Sequence, residues 1–304
     1  MYFLRRLAFI PPLLLVVSFL AFGLMHLAPG NPFDRERKPA SPDVERNLAR
    51  KYHLDEPFLK QYARYLGGLA HGDFGPSLKY RDHTVTDIIA QGLPVSMTLG
   101  WLAFCFALGI GLPLGFYTAV ERGRWPDYLG SFFAILVICI PGLVIGPILV
   151  VTLAIHWRIF PVALWESPWH AILPTIALGL YFSGRIARLM REGMLGIMQS
   201  EFVTTARAKG LSEFQVLSRH AVRLAILPVL SYSGPLLADL LTGSFVVENI
   251  FQIPGIGTSL VNGMSNRDYP LVVGLVILYA ALLLVLNVLV DLTYSILDRR
   301  VKYE

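Results

Sequence analysis

Apolar stretches long enough to cross a membrane constrain the fold of this chain more than any other feature of its sequence. The first of them, at residues 7–27, is 21 residues long and contains no charged side chain. A hydrocarbon core about 30 Å thick is crossed by roughly 20 helical residues. Of the 304 residues, 55% are hydrophobic and 15% are charged, whereas soluble domains are roughly 25% charged. The sequence therefore predicts an all-α integral membrane protein.

Six such spans are predicted, at residues 7–27, 95–120, 128–155, 171–187, 224–247 and 271–296. Pro141 and Pro147 are expected to break the third. Of the Lys and Arg residues in short loops and at the termini, fourteen fall on one side of the membrane, and only Arg158 and Arg267 lie on the other. Because loops rich in Lys and Arg stay in the cytoplasm, both termini are predicted to be cytoplasmic.

The polar segment 31–92 lies outside the membrane in this arrangement. Helices are predicted at 41–52 and from Asp55 onward, and Thr84 with Asp87 has the capping-box pattern of a further short helix. The expected division is a first span plus outer segment at 1–92, a transmembrane domain at 93–297 and a cytoplasmic tail at 298–304.

Residues 201–228 form a basic segment between two spans that differs from an ordinary loop. Phe202, Val203 and Ala206 recur at helical spacing and predict an apolar patch on a short surface helix, which its own chain leaves uncovered. Gly210 stands where that helix must end and the chain must turn, and Pro228 falls in the first turn of the next span. The pattern predicts helix, glycine turn, helix and then membrane, with the patch facing a partner.

The same segment resembles the cytoplasmic coupling loop of ABC-importer permeases, which has the form Glu-Ala-Ala, three residues, Gly, a spacer and Ile-x-Leu-Pro. The matching residues are Thr204, Thr205, Ala206, Arg207, Ala208, Lys209 and Gly210, followed by Ile226, Leu227 and Pro228. Thr204 stands where the general motif has Glu, so no acidic role is assigned to it. Four other segments also resemble oligopeptide and dipeptide permeases, at residues 27–32, 70–77, 254–257 and 266–270. The amino-acid sequence is most similar to the B-subunit branch of the oligopeptide permeases.

This resemblance implies a type I ABC-importer permease core of the MetI-like kind in the bacterial cytoplasmic (inner) membrane. The implied function is inward movement of oligopeptides; the alternative is dipeptides, nickel or another small solute of the same family. The implied partners are a second homologous permease subunit, two cytoplasmic ABC ATPase subunits and a periplasmic or extracellular peptide-binding protein. The residues implied to couple the ATPases to transport are Glu201, Phe202, Val203, Thr204, Thr205, Ala206, Arg207, Ala208, Lys209, Gly210 and Leu211.

The sequence lacks common motifs of nucleotide binding, hydrolysis and metal binding. It has no phosphate-binding Gly-x4-Gly-Lys-Ser/Thr loop, no zinc-protease or serine-hydrolase motif, and no histidines at metal-ligand spacing. We therefore expect ATP hydrolysis in partner chains, and no catalytic residue, metal, cofactor or nucleic-acid partner here. An intramembrane enzyme, the alternative from another class, would need a nucleophile–base pair or paired carboxylates at one depth, and the sequence shows neither.

Asp239 is the one carboxylate deep in the predicted fifth span. Two roles are open for it: lining the translocation path, in contact with a substrate amine, or being paired or protonated within the helix bundle. Asn287 and Asp291, near the inner end of the sixth span, are expected to hold the helix end or bond to a neighbouring helix. Cys105 and Cys139 are expected to be small core hydrophobes.

Overall fold

The computed structural model describes residues 2–27, 43, 47, 50, 53, 55–80 and 82–297, with side chains described for 7–289 within these ranges. In this part of the chain every regular element is helical, apart from one antiparallel bridge between Pro76 and Thr84. The all-α prediction is confirmed. The predicted helix at 41–52 lies largely outside the described residues, as do the tail at 298–304 and the side chain of Asp291.

The α-helices are α1 Tyr2–Leu27, α2 Phe58–Ala70, α3 Val85–Val120, α4 Trp125–Cys139, α5 Gly142–Leu149, α6 Ile172–Met198, α7 Glu201–Ala208, α8 Glu213–Gln215, α9 Val222–Ala225, α10 Leu227–Leu241, α11 Phe245–Ile250, α12 Ile256–Ser265 and α13 Tyr269–Leu297. Two π-helical segments, Val150–His156 and Val216–Ala221, and a 3-10 helix, Pro168–Ala171, lie between them. Most of the long helices coincide with the apolar stretches of the sequence.

Four stretches in the described part of the chain are long and apolar enough to cross a membrane: Leu7–Leu27, Val85–Val120, Leu227–Ile250 and Tyr269–Leu289. The bent pair formed by α4 and Gly142–His156 makes a fifth if it is one span. The predicted fourth span lies in α6, which is helical throughout but carries Arg185, Arg188 and Arg191 and does not reach the same apolarity. The count of six spans stays a prediction.

The predicted third span is broken, as its prolines indicated. Helix α4 ends at Cys139 and α5 begins at Gly142, and the bend between α4 and the segment Gly142–His156 is 102°. Proline disfavours the helical conformation in the residue before it, and Ile140 has an extended backbone with φ −78° and ψ 121°. Pro147 lies inside α5 without ending it. Pro141 alone therefore accounts for the break.

The chain divides into two compact units: Met1–Ser96 with Pro254–Val285, and Met97–Ile253 with Leu286–Glu304. The predicted division at 92/93 and 297/298 stays a prediction. In the first unit, α2 packs on α1 through aromatic rings, with the Phe22 ring centroid 5.5 Å from that of Phe58 and 5.7 Å from that of Tyr65. Helix α2 begins three residues later than predicted from Asp55, because Pro57 excludes the helical conformation from the residue before it.

The predicted capping box at the start of α3 is present. The Asp87 N–H donates to Thr84 Oγ1 at 3.1 Å, and the Thr84 N–H donates to Asp87 Oδ2 at 2.9 Å. The helix that they cap is not short, however, since α3 runs for 36 residues without interruption into the predicted second span. Pro94 lies inside this helix without interrupting it.

The core of the second unit forms around α6, whose Ile186 and Met194 are fully buried among residues of α3 and α10. Two glycines of α3 permit this approach. A Cβ added at Gly111 would lie 2.7 Å from the Cβ of Ile186, and one at Gly115 would lie 2.2 Å from the carbonyl oxygen of Ala187. Both distances are shorter than a carbon contact allows, so this pair of glycines serves helix packing within the chain.

A buried ion pair joins α4 to α6. Arg191 donates from Nε and Nη2 to the two carboxylate oxygens of Asp127, at 2.9 Å each. The carboxylate also accepts from the Gly123 N–H and the Ser131 hydroxyl. Paired in this way, a nearly buried carboxylate is satisfied on every side. The sequence analysis counted Arg191 only toward the orientation of the chain.

Cys105 and Cys139 are exposed on the surface of the chain, so their prediction as core residues is wrong. A thiol behaves as a small apolar group, and in a span it is as stable against lipid tails as in a core. Asn287 is half-buried in α13.

Candidate functional site: a helical hook and a polar helix face

Residues 200–217, here called the hook, connect α6 to the segment that leads into α10. Helix α7 ends at Ala208, and Gly210 follows with φ +76°, in the left-handed region that glycine enters at little cost. Ser212 and Gln215 then form a reciprocal capping box at the start of α8. The predicted helix, glycine turn and second helix are confirmed, and Pro228 lies in the first turn of α10 as expected. The second helix is irregular, since α8 passes directly into a π-helical segment.

Two of the three residues in the predicted apolar patch of the hook are buried instead of exposed. Val203 is 0% exposed and Ala206 is 6% exposed. Their neighbours are Val216, which the Gly210 turn carries back over α7, and Ile197 from the end of α6. The sequence analysis was therefore wrong that the chain leaves these two side chains uncovered, because it treated α7 as a helix standing alone.

An ion pair across the turn holds the two arms of the hook together. The Arg207 guanidinium donates from Nη2 to Glu213 Oε1 at 2.6 Å and from Nε to Oε2 at 3.1 Å. The hydrogen bond from Arg207 is the main reason that the pKa of the Glu213 carboxyl lies below its ordinary value. Both side chains are exposed, so the pair orients the arms more than it stabilises them.

The outer surface of the hook carries large apolar side chains. Phe202 is 38% exposed, Leu211 is 37% exposed, and Phe214 is 78% exposed. The sequence analysis missed Phe214 as a surface residue. The signal was present, because a capping box of Ser212 with Gln215 starts a helix on which Phe214 and Val216 lie about 200° apart. With Val216 buried, Phe214 must point outward.

A second unusual surface lies on α10. Ser231, Pro235 and Asp239 are exposed at intervals of four residues, which places them along one face of the helix. The Asp239 carboxylate has no hydrogen-bond or ion-pair partner within the described part of the chain. The opposite face, with Leu236 and Leu240, is buried in the core around α6. A helix apolar enough to span a membrane thus presents its polar residues outward.

The comparisons with known proteins agree with these features. Residues 111–303 match the family model described as binding-protein-dependent transport system inner membrane component. The chain belongs to this family. It is therefore a membrane component of a transport system and not an enzyme, and the predicted resemblance to ABC-importer permeases is confirmed.

Among the similar proteins are three permeases that match the chain from end to end. The oligopeptide transport system permease protein OppB of Salmonella typhimurium is 44% identical, with 99% of each chain covered. OppB of Haemophilus influenzae is 43% identical, covering 99% of this chain and 98% of its own. The dipeptide transport system permease protein DppB of Bacillus subtilis is 40% identical, covering 99% and 97%.

Solved structures give the same fold at much lower identity. An inward-facing MetNI methionine ABC transporter aligns with a TM-score of 0.60 and 16% identity, over 70% of this chain and 97% of the other. An amino acid ABC transporter solved with histidines aligns with a TM-score of 0.52 and 18% identity, over 71% and 95%. These structures support the MetI-like core that the resemblance implied.

Proposed function

We propose that this chain is a permease subunit that moves oligopeptides into the cell as part of a binding-protein-dependent ABC importer. The observation that carries the proposal is the extent of the match to permeases named for oligopeptides and dipeptides, which covers 99% of the chain at 40–44% identity. The methionine transporter covers only 70%, so the likeness to peptide permeases includes residues beyond the shared fold. Dipeptides are the second candidate, supported by the 40% identity to DppB.

The family implies ATPase and binding-protein partners in general. The finer arrangement we propose is a heterodimer with a second homologous permease, two cytoplasmic ABC ATPases, and a peptide-binding protein on the outside. Both termini and the hook face the cytoplasm of a bacterial cell, with the chain embedded in the cytoplasmic (inner) membrane. The concentration of Lys and Arg in the loops on that side supports this orientation.

In this arrangement the outer surface of the hook binds an ATPase subunit. Apolar side chains as exposed as Phe214 on a polar, water-facing segment indicate a partner surface. Aromatic side chains of this kind are common anchors of protein interfaces. Lys209 lies at the edge of the surface and contributes mainly to encounter and orientation.

The hook transmits movement because it is packed as one piece with the membrane helices. Val203 and Ala206 contact Ile197 of α6, and the second arm continues through Val222–Ala225 into α10. A displacement of the outer surface by the ATPase is therefore passed to α6 and α10 instead of being lost in a flexible loop. The coupling residues 201–211 that the resemblance implies then have two roles. Some of them bind the ATPase, and others keep the hook rigid.

The translocation path, in this proposal, runs along the exposed polar face of α10 that includes Asp239. Charged side chains in spans usually face protein or water, because exposure to lipid is costly. The path then lies between this chain and the second permease subunit.

The test is reconstitution of the complete complex in proteoliposomes with ATP inside the compartment that corresponds to the cytoplasm. We expect ATP-dependent accumulation of labelled trialanine that requires the binding protein, and at least tenfold less accumulation of a free amino acid. Methionine or histidine transported in place of peptides would contradict the proposed substrate class.

A further inference from the structure

The polar face of α10 places an unpaired carboxylate near the middle of a span. Asp239 lies halfway along the candidate span Leu227–Ile250, which is 24 residues long. No described side chain donates a hydrogen bond to it or pairs with its charge. An ionised, unpaired carboxylate at this depth is stable only beside water or a positively charged group.

The backbone around Asp239 favours positive charge as well. Helix α10 ends at Leu241, and the chain continues through Gly243, with φ +86°, before α11 begins at Phe245. Asp239 therefore lies in the last turn of a helix, at the negative end of the helix dipole. A carboxylate in that position adds to the negative potential, and a bound cation would relieve it. Non-helical backbone within a span is tolerated where it lines protein or water.

A positively charged group lies on the same side of α10 as Asp239, closer to the helix end at Leu227. The Arg185 guanidinium of α6 lies 5.5 Å from the centre of the Tyr181 ring and beside the hydroxyl of Tyr232 on α10. No carboxylate pairs with Arg185 in the described part of the chain. Tyr232 precedes Asp239 by seven residues, which is almost two turns, so both lie on one face about 10 Å apart along the axis.

We propose that Asp239 binds the α-ammonium group of a translocating peptide and that Arg185 binds its α-carboxylate. The proposal rests on the function proposed above and adds how the path recognises its substrate. Three residues of extended chain span about 10 Å, which equals the rise along α10 from Tyr232, beside Arg185, to Asp239. A guanidinium binds a carboxylate through paired hydrogen bonds. The peptide would then travel with its carboxyl end toward the cytoplasm.

The experiment measures uptake by the complete reconstituted complex of three labelled compounds: trialanine, its desamino analogue and its C-terminal amide. Each is supplied at a concentration that saturates the binding protein. We expect the wild-type complex to carry trialanine at least tenfold faster than either analogue.

The Asp239→Asn variant should carry trialanine at least tenfold more slowly than the wild type, and its preference for trialanine over the desamino analogue should fall to threefold or less. The Arg185→Gln variant should lose the preference over the amide instead.

Two further variants separate recognition from folding. Asp239→Glu keeps the carboxylate and should retain at least half of the wild-type rate and preference. Glu192→Gln removes an exposed carboxylate of α6 that pairs with Arg188 and should leave rate and preference unchanged. If Asp239→Asn fails to assemble, the Asp239→Glu and Arg185→Gln variants still decide the question through their preferences.

Equal wild-type rates for the three compounds would overturn the proposal, and so would an Asp239→Asn variant with unchanged rate and preference. Equal loss of all three compounds in both Asp239→Asn and Asp239→Glu would identify a structural role and would also overturn it. A wild-type complex that accumulates none of the three compounds would instead contradict the proposed function.

Discussion

The hook and the exposed face of α10 differ in opposite ways from their surroundings. The hook belongs to a polar, charged segment, yet it turns Phe202, Leu211 and Phe214 outward. Helix α10 belongs to an apolar span, yet it turns Ser231, Pro235 and Asp239 outward. Neither surface suits the solvent around it if the chain is alone, since the hook exposes apolar groups to water and α10 exposes polar groups to the membrane. Apolar groups in water indicate a protein partner, and polar groups in a membrane indicate water or a second subunit.

The largest effect is expected from Gly210→Val, which should reduce peptide uptake to background while the protein still inserts into the membrane. No atom crowds this position, so the effect comes entirely from the backbone. A β-branched residue resists φ +76°, at a cost of about 1–3 kcal/mol, and the arms of the hook separate. Gly196→Val is the matched control, because Gly196 also has open space but lies within α6 without a positive φ. Peptide uptake by Gly210→Val as fast as that by Gly196→Val and by the wild type would show that the turn is not required.

The next largest effect is expected from Phe214→Asp, which should lower the ATPase recovered with the permease pair in a detergent pull-down. An interface anchor contributes about 2 kcal/mol or more, or roughly 30-fold in affinity. Phe202→Asp should show a smaller loss, since that side chain is already more than half covered. Val203→Asp is the contrasting control: it places a charge in the buried side of the hook and should lower the yield of folded permease. Full ATPase recovery with Phe214→Asp would contradict the assignment of the outer surface.

Thiol labelling can test whether the α10 face is in contact with water. In a background with Cys105 and Cys139 changed to alanine, Ser231→Cys should react with a membrane-impermeant maleimide in the assembled complex. Ala238→Cys, on the buried face, should react at least tenfold more slowly. Similar rates at the two positions would show that the polar face does not line an aqueous path.

A smaller effect is expected from Lys209→Ala, which should weaken ATPase binding by about threefold or less. Charges at the edge of an interface contribute mainly to association rate and to salt dependence. The measurement is ATPase recovery at two ionic strengths, with Lys79→Ala, in the outer segment, as the control. A loss with Lys209→Ala that exceeds the loss with Phe214→Asp would make the interface electrostatic instead of apolar.

The smallest effect is the pH dependence of the hook. The pKa of Glu213 is lowered in the folded chain by the Arg207 hydrogen bond. The ion pair therefore stabilises the hook above the ordinary pKa of a glutamate, and that contribution is lost as the pH falls through the lowered value. An exposed pair contributes about 0.2–1 kcal/mol, so hydrogen exchange of the hook amides should rise only slightly over that pH range. The Glu213→Gln variant should show no such rise.

The turns and caps of this fold could be predicted from the sequence because they depend on residues close together in the chain. Gly210 and Pro228 predicted the hook, Thr84 with Asp87 predicted the start of α3, and Pro141 predicted the break in the third span. Each of these signals acts through local backbone geometry.

The burial of individual side chains could not be predicted in the same way. Val203 is covered by Val216 only after the chain has turned at Gly210, and the sequence analysis took helical spacing alone as evidence of an outward patch. The approach of Arg185 to Tyr232 likewise joins two helices that are distant in sequence. A periodic pattern shows that a helix has two faces, but tertiary packing decides which face is covered.

The central claim is that the outer surface of the hook is the binding site of the ATPase, and labelling at Phe214 tests it most directly. A Phe214→Cys variant is treated with a water-soluble maleimide as the permease pair alone and as the complex with the ATPase subunits. We predict rapid labelling of the permease pair and at least tenfold slower labelling of the complex, with no such protection at the control position, Lys79→Cys in the outer segment. Equal labelling rates at Phe214→Cys with and without the ATPase would contradict the account.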